Sequence, residues 1–597
     1  VTVPPVATVG DETNLTDPVW DNAERFPDHP QFAIKTGPEW QDVTCAQFRD
    51  QVLAVARGLI AAGIEPGQRV GLMSRTRYEW TLIDYAIWAA GAVTVPIYET
   101  SSPEQVEWIL SDSGAVACVV ETDTHLRHVL SVRAATPELR HVWQIAPTDS
   151  SPGAVAELTD LGAGVPDAAV AERRAGLRAD DLATLIYTSG TTGRPKGCMI
   201  THRNLATDIA NALPGLSEFF HPGAQTVLFL PLAHSFARLI QAGVIAARVR
   251  TAHLDDPKKL VDVVQDFRPT FMLAVPRVFE KVYNGAQQKA HAEGKGRIFE
   301  AAARTAVAYS EAMDTGGPGL GLRLRHALFD RLVYRKIRAA LGGRCTAAIS
   351  GGAPLGVRLG HFFRGVGLTV YEGYGLTETS PAAAVNLSNA FRMGTVGRPL
   401  PGVSIRIADD GEVLIKGDIV FRGYWRNEAA TAEVISPDGW FATGDLGELD
   451  EDGFLTITGR KKELIVTAGG KNVAPAVLED RVRAHPLVSQ CMVVGDGKPF
   501  VAALVTIDEE ALPAWLAANN KPPATVSALR DDPDLRAAIQ EAIDHANRAV
   551  STAESIRKFR ILPGDFTEAN GMLTPSMKVK RGVVAREYAD EIAALYS

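Results

Sequence analysis

The sequence predicts an α/β protein. It expects a large N-terminal domain of two helix-flanked β-sheets with a β-barrel-like subdomain, followed by a smaller, mobile α+β C-terminal lid domain. Three observations carry this. Short apolar runs at Val93–Ile97 and residues 116–120, 271–275 and 346–349 are separated by helical stretches, the pattern of parallel strands covered on both faces. From Gly402 onward the texture changes to closely spaced short strands, at Ser404–Ile407 and residues 412–415 and 454–457. At 597 residues the chain exceeds one ordinary hydrophobic core.

Taken in order, Thr44 and Gln47 spell a capping box, and Phe48, Val52, Ala56, Leu59 and Ile60 then recur at helical spacing until Gly63 ends the helix. The run 182–187 reads as a buried strand that empties into a glycine-rich loop, residues 188–197. Residues 236–249 are apolar but contain Arg238 and Arg248, so they read as a core helix and not a membrane span. After residues 454–457 the group Arg460-Lys461-Lys462-Glu463 interrupts the apolar flow. A short strand at 464–466, a glycine-rich turn, a helix from about 474 to 483 and a hairpin of 492–494 with 501–505 follow, with helix expected from there to Lys558. The expected domains are residues 1–459 and 460–597.

Composition narrows the function. Apolar residues make up 46% and charged residues 22%, a globular balance. A net charge of −9 argues against nucleic acid as a partner. The five cysteines are scattered, odd in number and without metal-ligand spacing, which fits a reducing cytoplasm. Cys198, beside the glycine-rich loop, reads as a small core residue. The first residues, Val1-Thr2-Val3-Pro4-Pro5, lack the features of a signal peptide. Homodimerisation and peripheral contact with the inner face of a membrane are left open.

The loop from Thr188 to Gly197 holds three glycines, four hydroxyl residues, Arg194 and Lys196. Its backbone N–H groups and hydroxyls suit an anion, because glycine lets the chain turn and approach closely. Lys196 adds a mobile charge for phosphate. The spacing is not that of a P-loop: Gly190 and Gly193 are only two residues apart, and Lys196 follows Pro195.

LIYTSGTTGRPKG from Leu185 resembles the phosphate-binding signature of the adenylate-forming (AMP-binding) superfamily. Further motifs of that family follow in order across almost the whole chain: FLPLAH from Phe229, SGGAPL from Ser350, YEGYGLTET from Tyr371, GWFATGD from Gly439, TGRKKE from Thr458 and LTPSMKVKR from Leu573. The resemblance implies activation of a carboxylate as a mixed anhydride with AMP, followed by transfer to a thiol. ATP, Mg²⁺ and coenzyme A are the implied cofactors and co-substrates, with a fatty acid as the other substrate.

By this resemblance Thr188, Ser189, Gly190, Thr191, Thr192, Gly193 and Lys196 cradle the β- and γ-phosphates. Tyr374, with Gly375 beside it, stacks on adenine, and Gly352, Ala353 and Pro354 form the other wall. Thr377 bonds the α-phosphate, and Glu378 holds Mg²⁺, a hard cation suited to carboxylate and phosphate oxygens. Asp445 accepts both ribose hydroxyls, as an ionised carboxylate can, and Arg460 is the second ribose contact. Trp440 and Phe441 read as core. His234 positions the acyl group and is not a base, since the carboxylate is already ionised at neutral pH.

Lys578 corresponds to the family's catalytic lysine, bridging carboxylate and α-phosphate as charge builds. The spelling Ser576-Met577-Lys578 departs from the commoner Ser-Gly-Lys, and Lys580 is a neighbouring candidate. Lys462 is the hinge for a lid rotation that brings Gly469 and Gly470 to the thiol channel.

YETSSPEQ from Tyr98, VPRVF from Val275 and YEGYGLTETSP resemble the long-chain fatty acyl-CoA synthetase branch. Leu230, Leu232, Phe236 and Leu239 could line an acyl tunnel and are equally good core. The alternatives are a fatty acyl-AMP ligase that loads a carrier protein and a non-catalytic acyl or nucleotide sensor.

Overall fold

The computed structural model describes residues 1–188, 194–574 and 577–597. A seven-stranded sheet runs in the order Gly423–Tyr424, Lys196–Thr201, Leu182–Thr188, Val93–Ile97, Arg69–Met73, Ala115–Val120, His141–Gln144. Its centre is parallel, and every residue of Val93–Ile97 and Ala115–Val120 is buried, as helices on both faces require. The expected capping box is formed: Thr44 accepts from Gln47 N–H, and the Gln47 side chain accepts from Thr44 N–H.

A second sheet contains Phe271–Ala274, Ala347–Ser350, Thr369–Gly375, Ala382–Val385 and Arg398–Pro399. Four further strands, Glu39–Thr44, Pro30–Thr36, Arg250–His253 and Gln225–Leu228, extend it. Thr270 N–H donates to the Gln225 carbonyl at 2.8 Å, and the Thr226 hydroxyl to the Phe271 carbonyl at 2.9 Å. The two groups of strands therefore meet edge to edge.

The barrel-like piece is an antiparallel sheet of Ser404–Ile407, Glu412–Lys416, Phe441–Leu449 and Leu455–Arg460. Beyond it, Val488–Val494, Val501–Ile507 and Ile556–Ile561 form a separate sheet with its own apolar core, packed by helices Pro475–Arg483 and Pro533–Asn547. The expectation of helix up to Lys558 is corrected here, because Ile556–Ile561 is a strand parallel to Val501–Ile507. Its apolar residues Ile556, Phe559 and Ile561 are spaced partly like a helix. The intervening Arg557 and Lys558 are exposed, as on the solvent side of an edge strand.

The helix Ser235–Ala246 lies in the core with its arginine inside. Arg238 and Asp84 are almost fully buried and pair at 2.5 Å. The Arg238 guanidinium also donates to Thr184 Oγ1 at 2.5 Å, and Gln241 donates to the second Asp84 oxygen at 3.0 Å. A buried charge is tolerated only with such partners. The pair ties the helix behind His234 to the strand that leads into the glycine-rich loop. All five cysteines are buried, and burial raises their thiol pKa values.

Candidate active site

The antiparallel pair Leu182–Thr188 and Lys196–Thr201 ends with Thr188 opposite Lys196. Ser189, Gly190, Thr191, Thr192 and Gly193 lie outside the described residues. The return leg is fixed: Trp108 Nε1–H donates to the Pro195 carbonyl at 2.8 Å, and Trp425 N–H to the Gly197 carbonyl at 2.7 Å. The half-buried Lys196 holds its ammonium 4.9 Å from the centre of the Tyr424 ring. The Tyr424 hydroxyl in turn donates to Glu378 Oε1 at 3.0 Å. Tyr424 thus links the loop lysine to the acidic residue, a role that sequence reading missed because the dipeptide strand Gly423–Tyr424 carries no motif.

Glu378 lies in the short turn Thr377–Thr379 that follows strand Thr369–Gly375. Gly375 is required here, since a Cβ would fall 1.5 Å from the Pro381 carbonyl oxygen. Thr377 Oγ1 is 3.1 Å from Ser235 Oγ, bringing the start of helix Ser235–Ala246 to the same place. His234 caps that helix, its Nδ1 accepting from Phe236 N–H at 3.2 Å. This puts the ring proton of a neutral imidazole on Nε2. Burial, assisted by the charge of Lys578, lowers the His234 pKa to about 4. Gly352, Ala353 and Pro354 form an exposed turn after Ala347–Ser350. The buried Glu372 supports it by accepting from Leu355 N–H at 2.9 Å.

Asp445 is the most heavily used carboxylate of the cleft. One oxygen accepts from the Tyr374 hydroxyl at 2.6 Å and the other faces Arg460 Nε at 2.9 Å. Asp445 and Arg460 are directly opposite in their β-ladder. Each carboxylate oxygen has a second lone pair, so the group can still accept a pair of hydroxyls. Burial and the neighbouring Asp445 charge keep the Tyr374 hydroxyl protonated, far above its ordinary pKa. Phe441 is core, as expected, while Trp440 is half-buried under the Arg406 guanidinium at 4.3 Å. Leu232 and Leu239 are buried, whereas Leu230 and Phe236 keep partial exposure.

Past Arg460 the exposed Lys462 lies in the turn Lys461–Glu463. Lys461 is anchored to Asp410 at 2.5 Å and to Glu412 at 2.9 Å. Gly469 and Gly470 are exposed in the next loop. The last motif folds back on itself: Thr574 N–H donates to the Lys578 carbonyl at 2.8 Å and Lys578 N–H to Thr574 Oγ1 at 3.0 Å. Met577 has φ +63°, the left-handed region that favours glycine. The commoner Ser-Gly-Lys spelling therefore has a conformational reason, and this chain accepts local backbone strain to keep methionine.

The Lys578 side chain retains solvent access within a crowded cleft. Crowding, and then the charge of Arg460, lower its pKa below the ordinary lysine value, with Asp445, Glu378 and Glu463 opposing. Lys578 is therefore within electrostatic reach of His234, Glu378 and Asp445. Lys580 instead supplies its carbonyl to the first turn of helix Arg581–Glu587. The C-terminal part is held against the large part by Arg277–Asp508 at 3.0 Å, Lys281–Glu510 at 3.3 Å and a contact of Thr100 with Glu568.

The strand pair Leu182–Thr188 and Lys196–Thr201, the cleft of Glu378, Asp445 and Arg460, and the second α+β unit beyond it agree with a nucleotide-using, carboxylate-activating class of protein. The family profile described as AMP-binding enzyme matches residues 19–425, and that of the AMP-binding enzyme C-terminal domain matches residues 462–597. The chain belongs to the AMP-binding enzyme family. It is 57% identical to long-chain-fatty-acid–CoA ligase FadD15 of Mycobacterium bovis, covering 100% of this chain and 99% of the relative. It is 32% identical to long-chain-fatty-acid–CoA ligase ACSBG2 of Xenopus laevis, covering 96% of this chain and 82% of that protein. In fold it is similar to the A domain of carboxylic acid reductase from Segniliparus rugosus in complex with AMP and a co-purified carboxylic acid. That likeness has a TM-score of 0.74 at 21% identity and covers 98% and 95% of the two chains.

Asp445→Asn should weaken AMP binding about tenfold to a hundredfold in titration calorimetry, the loss of hydrogen bonds to a charged group. Unchanged affinity would remove Asp445 from the nucleotide site. A second expectation concerns pH. Burial lowers His202 to about 3 and His253 to about 4, alongside His234 at about 4. The unfolded chain takes up these protons below about pH 6.5, so their contribution is complete above that pH and is lost as pH falls toward 4. The urea midpoint should decline across this window, and the decline should be shallower in His202→Gln.

Proposed function

We propose that this protein is an ATP-dependent long-chain-fatty-acid–CoA ligase that works through an acyl-adenylate. The observation that carries this is the meeting of Lys196, Glu378, Asp445, His234 and Lys578 around one cleft, in a chain similar over its full length to ligases of that name.

In the first step a fatty carboxylate oxygen attacks the α-phosphorus of ATP, and the bond to pyrophosphate breaks. The carboxylate is ionised at neutral pH, so no base is needed, and the task is to align the groups and neutralise charge. Thr188 and Lys196, together with Ser189, Gly190, Thr191, Thr192 and Gly193, hold the β- and γ-phosphates. Tyr374 and Gly375, facing the turn Gly352-Ala353-Pro354, hold adenine. Asp445 and Arg460 hold the ribose, and Thr377 holds the α-phosphate. The uncharged His234 donates from Nε2 to orient the carboxylate. Lys578 bridges carboxylate and α-phosphate where negative charge accumulates.

Glu378 suits Mg²⁺. Its Oε2 takes no hydrogen bond among the described residues, and one carboxylate plus substrate phosphates is an ordinary donor set for that cation. When bound, Mg²⁺ supplies charge neutralisation on the phosphates.

In the second step the CoA sulfur attacks the acyl carbon and AMP leaves. The lid, taken as residues 460–597, turns about Lys462, withdrawing Lys578 and bringing Gly469 and Gly470 toward the pantetheine path. The ion pairs Arg277–Asp508 and Lys281–Glu510 that help hold the present pose are partly exposed, and such pairs are individually weak, which suits a reversible rotation. The protein is read as cytoplasmic, with peripheral membrane contact; among the described residues no helix is long and apolar enough to cross a membrane.

Purified protein with ATP, Mg²⁺, CoA and fatty acids of graded length should consume CoA and release AMP and pyrophosphate, with the longer acids preferred. Pyrophosphate release without CoA consumption would favour a ligase that loads a carrier protein. Failure to release pyrophosphate with every acid would favour a sensor.

A further inference from the structure

Helix Leu320–Phe329 contains no buried residue, although five of its ten positions are leucine or phenylalanine in an otherwise basic stretch. Leu320, Leu324, Leu328 and, in the following turn, Leu332 are 75%, 65%, 56% and 48% exposed. Spaced four residues apart, they form one stripe that drifts by about a third of a turn over its length. The opposite side fixes the helix to the protein. His326 Nε2–H donates to the Gly365 carbonyl at 2.6 Å and its ring stacks on Tyr309 at 3.9 Å. The buried Tyr334 hydroxyl donates to the Ala302 carbonyl at 2.7 Å. The leucines face outward because the helix is held this way round, and among the described residues nothing covers them.

The charges around the stripe have one sign. Residues 320–344 carry seven basic side chains (Arg323, Arg325, Arg331, Arg335, Lys336, Arg338 and Arg344) against a single acid, Asp330, in a chain of net charge −9. Asp330 is already engaged by Arg335 at 3.1 Å and Arg338 at 2.7 Å. Arg325 and Arg331 form no ion pair among the described residues, and both are exposed. An outward apolar stripe flanked by free arginines is the composition of a helix that lies in a lipid interface. Their long stems can lie along the apolar layer while the heads reach phosphate.

We infer that this helix docks the protein on the surface of an anionic bilayer. A second copy of the chain is the poorer occupant, because a two-fold interface would set the same basic face against itself. The inference shares with the proposed function the idea of a lipidic substrate, which would be met where it is stored. The docking itself is read without substrate.

Full-length protein should co-float with phosphatidylcholine vesicles containing roughly one phosphatidylglycerol in four, and bind pure phosphatidylcholine at least tenfold more weakly. The double variants Leu324→Glu/Leu328→Glu and Arg325→Glu/Arg331→Glu should each lose at least tenfold in binding with unchanged melting temperature and solution mass. Wild-type protein that stays off anionic vesicles, or variants that float equally well, would overturn the inference. So would a wild-type dimer that the leucine variant converts to monomer, which would assign the stripe to a second copy. Because flotation uses neither ATP nor fatty acid, its failure would leave the ligase reading standing, and failure of the ligase assay would leave the docking result standing.

Discussion

The Asp445 carboxylate is the contact on which the arrangement depends. It is almost fully buried, and a buried charge must be paired to be tolerated. Its two partners come from different places: Tyr374 from the end of the central strand Thr369–Gly375 of the second sheet, and Arg460 from the last barrel strand, at the point where the chain enters the C-terminal part. One side chain therefore fixes the aromatic wall of the cleft, the barrel and the start of the lid relative to one another. Lys461, pinned to Asp410 and Glu412 one residue later, makes the transition sharper. The rotation proposed above falls at the next position, Lys462, which has no ion-pair partner among the described residues.

A firm anchor followed by weak contacts is what an alternating lid needs. The Arg277–Asp508 pair is partly buried, and Lys281–Glu510 is largely exposed. Neither resembles the closed Arg238–Asp84 pair inside the large domain. The first kind can break and re-form during turnover, while the second holds helix Ser235–Ala246 behind the site. Met577 adds a further feature, since the loop that presents Lys578 keeps a methionine in a glycine-like backbone conformation. Strain of this sort persists where surrounding contacts dictate the geometry, and here both Thr574–Lys578 hydrogen bonds do so.

Much of this was legible in the sequence, for identifiable reasons. Strands covered on both faces are continuous apolar runs, so Val93–Ile97 and Leu182–Thr188 could be read directly. The Thr44–Gln47 capping box is local and needs no tertiary information. Motif order brought Asp445, Arg460, Glu378 and Lys578 into view, though not the hydroxyl of Tyr374 on Asp445. What escaped was set by distant contacts. Tyr424 joins Lys196 to Glu378 only after folding, and Glu372 supports the Gly352 turn through a bond across 17 residues. Strand Ile556–Ile561 has too mixed a pattern to be separated from helix by periodicity. The stripe from Leu320 has the spacing of a core helix, and only burial distinguishes the two.

The account turns on Lys578 acting in one lid position and leaving in the other. The most direct measurement is Lys578→Ala assayed separately in each half-reaction: ATP–pyrophosphate exchange with a fatty acid, and thioester formation from supplied acyl-adenylate and CoA. The account predicts a fall of about a hundredfold to a thousandfold in the first, the size expected for a preorganised donor to developing charge, with the second within a few-fold of wild type. Equal loss in both would contradict it.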